Sequence, residues 1–187
     1  MPVIDVVIPE NALSLEAETR LLKEVTDILI TAEGFDPKNP IAQSVTVLFL
    51  HRPSAVFVGG ERSAGPRYRV TTNVAEGKYS DEAVKMLTRE VNIAFARAEG
   101  TSPEAMGKKL YIFPTETPEG RWGSQGVVRP IADIQAMIAG EHERSVGHDL
   151  LALRRRVKAQ EIIEGLADAV RRGNAASRRS SPLSQPL

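Results

Sequence analysis

The sequence predicts an α+β fold in which two tandem β-α-β units form a four-stranded mixed sheet with two helices on one face, followed by a C-terminal helical extension. Three observations predict it: a repeated amphipathic segment, apolar extended segments on both sides of each copy, and a C-terminal region without the repeat. The expected divisions are a first unit at 1–65, a second unit at 66–130, a helical extension at 131–173 and a disordered tail at 174–187.

The repeated segment occupies residues 14–34 and 80–100, at a fixed offset of 66 and with nine of 21 positions identical. Apolar residues recur in both copies with the spacing of an amphipathic helix. Each copy begins at a serine that can cap a helix amino terminus and ends at a glycine suited to a left-handed cap. The capping positions are Ser14 and Gly34 in the first copy and Ser80 and Gly100 in the second. We therefore expect one helix in each unit.

Apolar extended segments precede and follow each of these helices, at residues 3–8, 45–50, 68–74 and 110–113. One helix between two strands predicts a parallel pair with a right-handed crossover in each unit. Glycine-punctuated segments at 55–61 and 121–128 predict hairpins or edge strands. Since the helices cover only one face of the joined sheet, we expect subunit association to cover the other.

The repeat stops at Pro130, and two further helices are predicted, over residues 131–139 and 149–172. Proline is favoured at the first position of a helix, so Pro130 fits the start of the first one. Residues 151–187 carry eight Arg or Lys and three Asp or Glu, a net charge of +5 in a chain with zero net charge overall. Such a basic end is usually solvated, and it can alternatively engage an acidic partner. We do not expect it to bind nucleic acid.

The composition is that of a globular protein, with 42% hydrophobic and 26% charged residues. The absence of cysteine excludes disulfides, and the three histidines (His51, His142 and His148) have no second ligand at metal-binding spacing, so no metal site is expected. No apolar run approaches the roughly 20 residues of a membrane helix. The amino terminus lacks the basic start and apolar core of a signal peptide, so we expect a cytoplasmic protein.

Three segments resemble proteins of the tautomerase superfamily. Residues 2–29 are similar to the start of those proteins, which begin with proline once the initiator methionine is removed. Residues 76–100 resemble the helix region of 4-oxalocrotonate tautomerase, and residues 115–126 resemble its hairpin with an aromatic–glycine pair. With residues 55–61 between the halves, the chain is most similar to the fused branch that contains cis-3-chloroacrylic acid dehalogenase. The resemblance implies a MIF-like β-α-β fold, a homotrimer of fused units and no cofactor.

The resemblance assigns the catalytic role to Pro2. Loss of Met1 exposes a secondary amine at Pro2, and desolvation or a nearby positive charge lowers the pKa of such an amine. An amine that is neutral near pH 7 is an effective general base. The alternative interpretation is that Pro2 only begins a strand.

The resemblance also implies residues that bind a small carboxylate substrate. Lys78 stands where the family has an arginine, and lysine binds an anion as a point charge rather than as a bidentate fork. An exposed loop lysine is the alternative. Trp122 and Phe57 occupy the aromatic position of the hairpin in the two units, where an aromatic ring excludes water from the site. Core packing is the alternative for Trp122.

Four further residues complete the predicted substrate site. Tyr111 and Phe113 lie on the strand after the second helix, and Phe113 stands where the fused dehalogenases have a tyrosine. Arg52 and Arg121 are weaker candidates for holding a carboxylate or polarising a carbonyl, with a surface position as the alternative for each. The dehalogenase pattern also departs at Ala75 and Leu29, so efficient dehalogenation is not expected.

The predicted function is cofactor-independent keto–enol tautomerisation of small 2-keto acids or their enols, with Pro2 as general base. A second interpretation keeps the site but makes Pro2 a cationic acid, in a hydratase, a decarboxylase or a weak dehalogenase of unsaturated three-carbon acids. A third is a non-catalytic trimeric binding module whose basic segment, residues 154–179, engages a partner.

Overall fold

The computed structural model describes residues 2–179, with side chains up to residue 172. The first half contains β1 (Val3–Val7), α1 (Leu15–Ala32), α2 (Pro40–Val45), β2 (Val47–His51), β3 (Phe57–Val58) and β4 (Glu61–Arg62). The second half contains β5 (Tyr68–Ala75), α3 (Asp81–Glu99), α4 (Pro103–Gly107), β6 (Leu110–Thr117), β7 (Gly123–Ser124) and β8 (Val127–Val128). The extension contains α5 (Ile131–Ala139), a 3₁₀ turn (Glu141–Glu143) and α6 (Arg144–Arg179).

Four strands form one mixed sheet in the order β2-β1-β5-β6. β1 is parallel to β2, β5 is parallel to β6, and the two units meet at the antiparallel pair β1–β5. The predicted tandem fold is therefore confirmed. In the central pair Val3 lies opposite Asn73 and Val7 opposite Arg69, so the amino end of β1 lies beside the carboxyl end of β5. The two hairpins, β3–β4 and β7–β8, are those that the glycine pattern predicts.

The helices α1 and α3 pack together on one face of the sheet and form the main core with its inward side chains. Both begin where the sequence predicts, because the hydroxyls of Ser14 and Ser80 accept hydrogen bonds from backbone N–H groups of the first turn. Gly34 and Gly100 adopt positive φ angles of 84° and 71° at the helix ends, a conformation that glycine adopts without strain.

On the opposite face of the sheet, apolar side chains of the two edge strands are uncovered in the single chain, while the central strands place polar residues such as Asp5 and Thr71 there. Val47, Phe49, Tyr111 and Phe113 point from β2 and β6 to this side, and each is 45–57% exposed. Side chains alternate between the two faces of a strand, so the residues between them, such as Leu110, face the helices and are buried. The expectation that the helices leave one face open is confirmed.

The extension differs from its prediction at the second helix. α5 has the predicted bounds, but α6 begins at residue 144 instead of 149 and continues through 174–179, which were predicted to be disordered. The earlier start follows from Arg144, which pairs with Glu141 and Asp133. Gly147 lets α6 approach α5 closely, since a Cβ there would lie 2.6 Å from the Ala132 Cα. Residues 180–187 of the predicted tail lie outside the described residues.

Residues 2–179 lack both a candidate membrane span and a candidate metal-binding cluster. No helix in this part of the chain is long and apolar enough to span a membrane, and no three His, Cys, Asp or Glu side chains within it lie close enough together to hold a metal ion.

Candidate active site

Pro2 is buried at the amino end of β1. Its carbonyl oxygen accepts a hydrogen bond from the Val47 N–H at 3.2 Å, which extends the β1–β2 pairing to Pro2. Because β1 and β5 are antiparallel, the backbone that leaves the carboxyl end of β5 passes beside this terminus. That segment, residues 76–79, carries Lys78. The strand order alone therefore brings the predicted base and the predicted cation to the same end of the sheet.

Lys78 is a buried cation that is held in one position, with only 5% of its surface exposed. Its Nζ donates to the Gln135 Oε1 at 2.5 Å and to the Glu33 carbonyl oxygen at 3.4 Å. It also lies 3.8 Å from the centre of the Phe35 ring, within the range of a cation–π contact. Burial lowers the Lys78 pKa from 10.5 to about 8, and the nearby Glu33 carboxyl partly opposes this. The ammonium form is therefore still the major one at neutral pH.

The backbone around Lys78 is held by Glu116 on β6. One carboxylate oxygen of Glu116 accepts from the Gly77 N–H at 2.9 Å and from the Tyr79 N–H at 3.2 Å. Gly77 has a φ of 101°, and a Cβ there would lie 3.1 Å from the Leu151 backbone, so both conformation and space require glycine. The Tyr79 hydroxyl shares a 2.7 Å hydrogen bond with Thr72. The loop therefore presents Lys78 in a fixed orientation.

Glu33 is a second titratable group at this site, and sequence reasoning did not identify it. It is 5% exposed, and within residues 2–179 its Oε1 has no hydrogen-bond partner. Burial raises the Glu33 pKa, while the positive charges of the amino terminus and of Lys78 act in the opposite direction. The Glu33 carboxyl and the Lys78 ammonium are thus close enough for their charges to interact.

The repeat contains a signal for Glu33. Adding the offset of 66 maps Pro2 onto Tyr68 and Glu33 onto Glu99, and both glutamates precede a glycine at the end of a helix. In the second unit, burial and the Glu99 carboxylate raise the Tyr68 pKa. A glutamate thus ends the long helix in both units, and in the second unit it lies next to the first residue of the central strand.

The C-terminal extension closes this end of the sheet. A second apolar cluster joins α5 to the ends of α1, α2 and β5, and Val3 packs against it. Its buried members are Ile30, Phe35, Ala42, Ala75, Trp122, Ile131, Ile134 and Ile138. Beside the cluster lies a cleft of about 580 Å³ lined by Glu33, Lys78, Gln135 and residues of α6. Pro2 is buried and is not among the residues that line this cleft in the single chain.

Ion pairs fasten α6 across the same region. Arg154 donates to Glu116 at 3.0 Å, and Lys158 lies 3.3 Å from Glu76 and 3.6 Å from Glu116. A backbone hydrogen bond from Glu119 and the Lys158 charge lower the Glu76 pKa, so this carboxyl is ionised at neutral pH. Glu116 therefore holds both α6 and the loop that carries Lys78. Some of the basic residues near the C-terminal end therefore form ion pairs within the chain.

The single chain brings Lys78 and Trp122 to the Pro2 end of the sheet but places Arg52, Phe57 and Tyr111 at the opposite end. β2 is parallel to β1, so Arg52 follows β2 at the end remote from Pro2, about 16 Å away along a five-residue strand. Arg52 pairs there with Glu18 at 2.6 Å. All three line a separate open cleft of about 970 Å³, together with Arg67, Arg69 and other residues.

The other two predicted binding residues lie on the surface. Phe113 points to the open face of the sheet and is 48% exposed, so it is not in the Lys78 cleft. Arg121 is exposed, although it directly precedes the buried Trp122. Within the single chain, neither residue shares a site with Lys78.

Comparison with known proteins identifies solved structures that share the fold. No family model matches the chain, and no curated protein matches it in sequence. Among solved structures, a fused 4-OT symmetric trimer called Q0 matches with a TM-score of 0.54 and 22% identity, over 74% of this chain and 98% of that one. N1, a cis-3-chloroacrylic acid dehalogenase family member, matches with a TM-score of 0.55 and 12% identity, over 79% and 97%. Pt0534, inactivated by 2-oxo-3-pentynoate, matches with a TM-score of 0.54 and 14% identity, over 67% and 94%.

The chain therefore has the fold of the tautomerase superfamily. Its two β-α-β units lie in one chain, as in the fused members of that superfamily. The resemblance inferred from the repeat and from the amino-terminal segment is confirmed at the level of the fold.

Proposed function

We propose that this protein is a cofactor-independent keto–enol tautomerase of small 2-keto acids or their enols, with Pro2 as general base after Met1 is removed. The observation that carries the proposal is the burial of Pro2 at the same end of the sheet as the buried ammonium of Lys78. Desolvation and a neighbouring cation both lower the pKa of an amine, so this environment favours neutral Pro2. A neutral secondary amine near pH 7 is suited to proton transfer.

The proposed reaction moves one proton between two atoms of the substrate. The substrate carboxylate binds the Lys78 ammonium. Neutral Pro2 removes a proton from the enol hydroxyl, and the resulting enolate is stabilised by the fixed positive charge. Protonated Pro2 then returns the proton to the adjacent carbon, which gives the keto acid and regenerates the amine. The reverse direction begins with removal of a proton from that carbon.

The protonation state of Glu33 decides between this chemistry and a second candidate. Burial raises the Glu33 pKa, while the Lys78 charge opposes this. A neutral Glu33 would leave Pro2 free to act as base. An ionised Glu33 would stabilise the protonated amine instead. Pro2 would then be a general acid, which suits hydration or decarboxylation of unsaturated acids. The buried carboxyl is the observation that keeps this second candidate open.

We further propose that the protein is a homotrimer. The exposed apolar side chains of β2 and β6 on the open face of the sheet need a cover, and the fused 4-OT protein Q0 is described as a symmetric trimer. A binding module that uses the basic segment is less well supported, because Arg154 and Lys158 are engaged by Glu116 and Glu76. The cytoplasmic location and the division at residues 65 and 130 stay predictions.

The proposal is tested by intact mass and by ketonisation of phenylenolpyruvate, followed by its ultraviolet absorbance. We expect the mass of the chain without Met1, and we expect Pro2→Ala to lower kcat/KM by about 10²-fold, the lower range for a general base. Pro66→Ala, in the loop between the units, is the matched control. Equal turnover by Pro2→Ala and wild type, or activity in protein that retains Met1, would overturn the proposal.

A further inference from the structure

Gln135 is a buried polar residue of the C-terminal extension that the proposed mechanism does not use. It lies on α5, it is 6% exposed, and it lines the cleft together with Lys78 and Glu33. A glutamine at this depth in an apolar helix requires a hydrogen-bonding role, since an unsatisfied buried amide costs about 1–3 kcal/mol. Apart from Asp133, which pairs with Arg144, the other residues of α5 are apolar, so Gln135 is not explained by packing.

The two ends of the Gln135 amide have different roles. Its Oε1 accepts the 2.5 Å hydrogen bond from the Lys78 Nζ. Its Nε2 makes no hydrogen bond to any described residue, so both N–H groups remain available to a ligand in the cleft. The Lys78 charge polarises the amide through Oε1 and strengthens these N–H donors. The bond to Lys78 also fixes which end of the amide is the donor.

We propose that Gln135 is a catalytic residue whose Nε2 donates to the keto or enolate oxygen of a 2-keto acid while the substrate carboxylate binds Lys78. This inference rests on the proposed function. A 2-keto acid carries two oxygen-bearing groups on adjacent carbons, and the Lys78 ammonium and the Gln135 amide are adjacent donors. The Lys78 Nζ donates to Gln135 and to the Glu33 carbonyl oxygen and lies over the Phe35 ring, so a substrate carboxylate would pair with it as a point charge. Negative charge that develops on the oxygen as the proton is removed would be stabilised by the amide.

The alternative role for Gln135 is structural: its hydrogen bond to Lys78 would only hold α5 in place. Two substitutions separate the roles. Gln135→Glu keeps the size and the bond to Lys78 but has no N–H group when ionised, and it brings a negative charge against the substrate. Gln135→Met removes both the acceptor and the donor. Gln160→Met, on the exposed side of α6, is the control for loss of a glutamine.

The test combines turnover of phenylenolpyruvate with calorimetric binding of oxalate, a planar dianion that resembles the enolate of a 2-keto acid and needs no proton transfer. We expect Gln135→Glu and Gln135→Met each to lower kcat by about 10²-fold, the loss typical of one donor to an oxyanion. We expect both to weaken oxalate binding at least tenfold, and we expect the control to do neither. Melting temperatures of all variants report on folding, and Gln135→Glu decides the question if Gln135→Met does not fold.

The outcomes are distinguishable from failure of the proposed function. Wild-type turnover and oxalate affinity in Gln135→Glu would overturn the inference, since a merely structural tie survives that substitution. Oxalate binding that depends on Gln135, in a wild-type protein without ketonisation activity, would support the binding role of the amide and would refute only the tautomerase assignment.

Discussion

The stability of Lys78→Met relative to wild type is expected to be higher at neutral pH than at high pH. The same substitution is expected to abolish substrate binding. The fall of the Lys78 pKa from 10.5 to about 8 corresponds to about 3 kcal/mol, at about 1.36 kcal/mol for each pH unit. This is the free energy by which burial disfavours the charged form in the folded state. Methionine has a similar length and carries no charge, so the variant does not have this cost.

The sign of the pH dependence follows from proton linkage. The folded pKa lies below the unfolded value, so between pH 8 and 10.5 the unfolded chain binds more protons and wild-type stability rises with pH. Below pH 8 the whole cost of the charge is present. The stability of Lys78→Met minus that of wild type should therefore fall by about 3 kcal/mol between pH 7 and pH 10.5. Loss of the bond to Gln135 shifts this difference by about 1–3 kcal/mol in the other direction.

Urea unfolding at fixed protein concentration, at pH values from 7 to 10.5, measures this difference. Lys85→Met, which removes an exposed lysine of α3, is the matched control. A difference between Lys78→Met and wild type that does not change with pH would refute the reasoning. Wild-type oxalate binding in Lys78→Met would also refute it, because it would show that the Lys78 ammonium does not bind the carboxylate.

Three further predictions test the neighbouring parts of the account. Burial raises the Glu33 pKa, so wild-type stability decreases as pH rises above 4.5, and Glu33→Gln should gain stability over wild type between pH 4 and pH 8 in urea unfolding. An advantage that does not grow with pH would contradict this. Replacing Arg154 and Lys158 by glutamine should increase hydrogen exchange in α6, as should 1 M salt on wild type; unchanged protection would exclude a role for these ion pairs. Phe49→Asp with Phe113→Asp should reduce the oligomer mass in light scattering, and an unchanged mass would place the interface elsewhere.

The main fold could be predicted because its signals are local and repeated. The capping serines and terminal glycines determine the bounds of α1 and α3, and the offset of 66 shows that one β-α-β unit occurs twice. The short helices α2 and α4 were not predicted. They have six and five residues, too few for helical periodicity to be recognised. Their signal is a capping residue followed by proline, as in Asn39-Pro40 and Ser102-Pro103.

The candidate site was less predictable because tertiary contacts build it. In the sequence, Glu33 is an ordinary charged residue at the end of a helix. The topology could have predicted its position, because α1 runs antiparallel to β1 and ends at the Pro2 end of the sheet. Gln135 could not be found in this way, because its position depends on how α5 docks onto Lys78. The role of Arg52 stays a prediction, since parallel pairing places it at the far end of the sheet from Pro2 within the single chain.

The central claim is that Pro2 has an uncharged amine beside Lys78 near neutral pH. The most direct test is the pH dependence of inactivation by 2-oxo-3-pentynoate, with peptide mapping of the product. The amine nitrogen adds to the alkyne carbon remote from the carbonyl, and the N–H proton is transferred to the neighbouring carbon. A C–N bond and a C–H bond form, one π bond is lost, and nothing leaves. We expect the adduct on the peptide that begins with Pro2, a rate that levels off near neutral pH, and little labelling in Lys78→Met. An adduct on Lys78 alone, or a Pro2 rate that still rises above pH 9, would contradict the account.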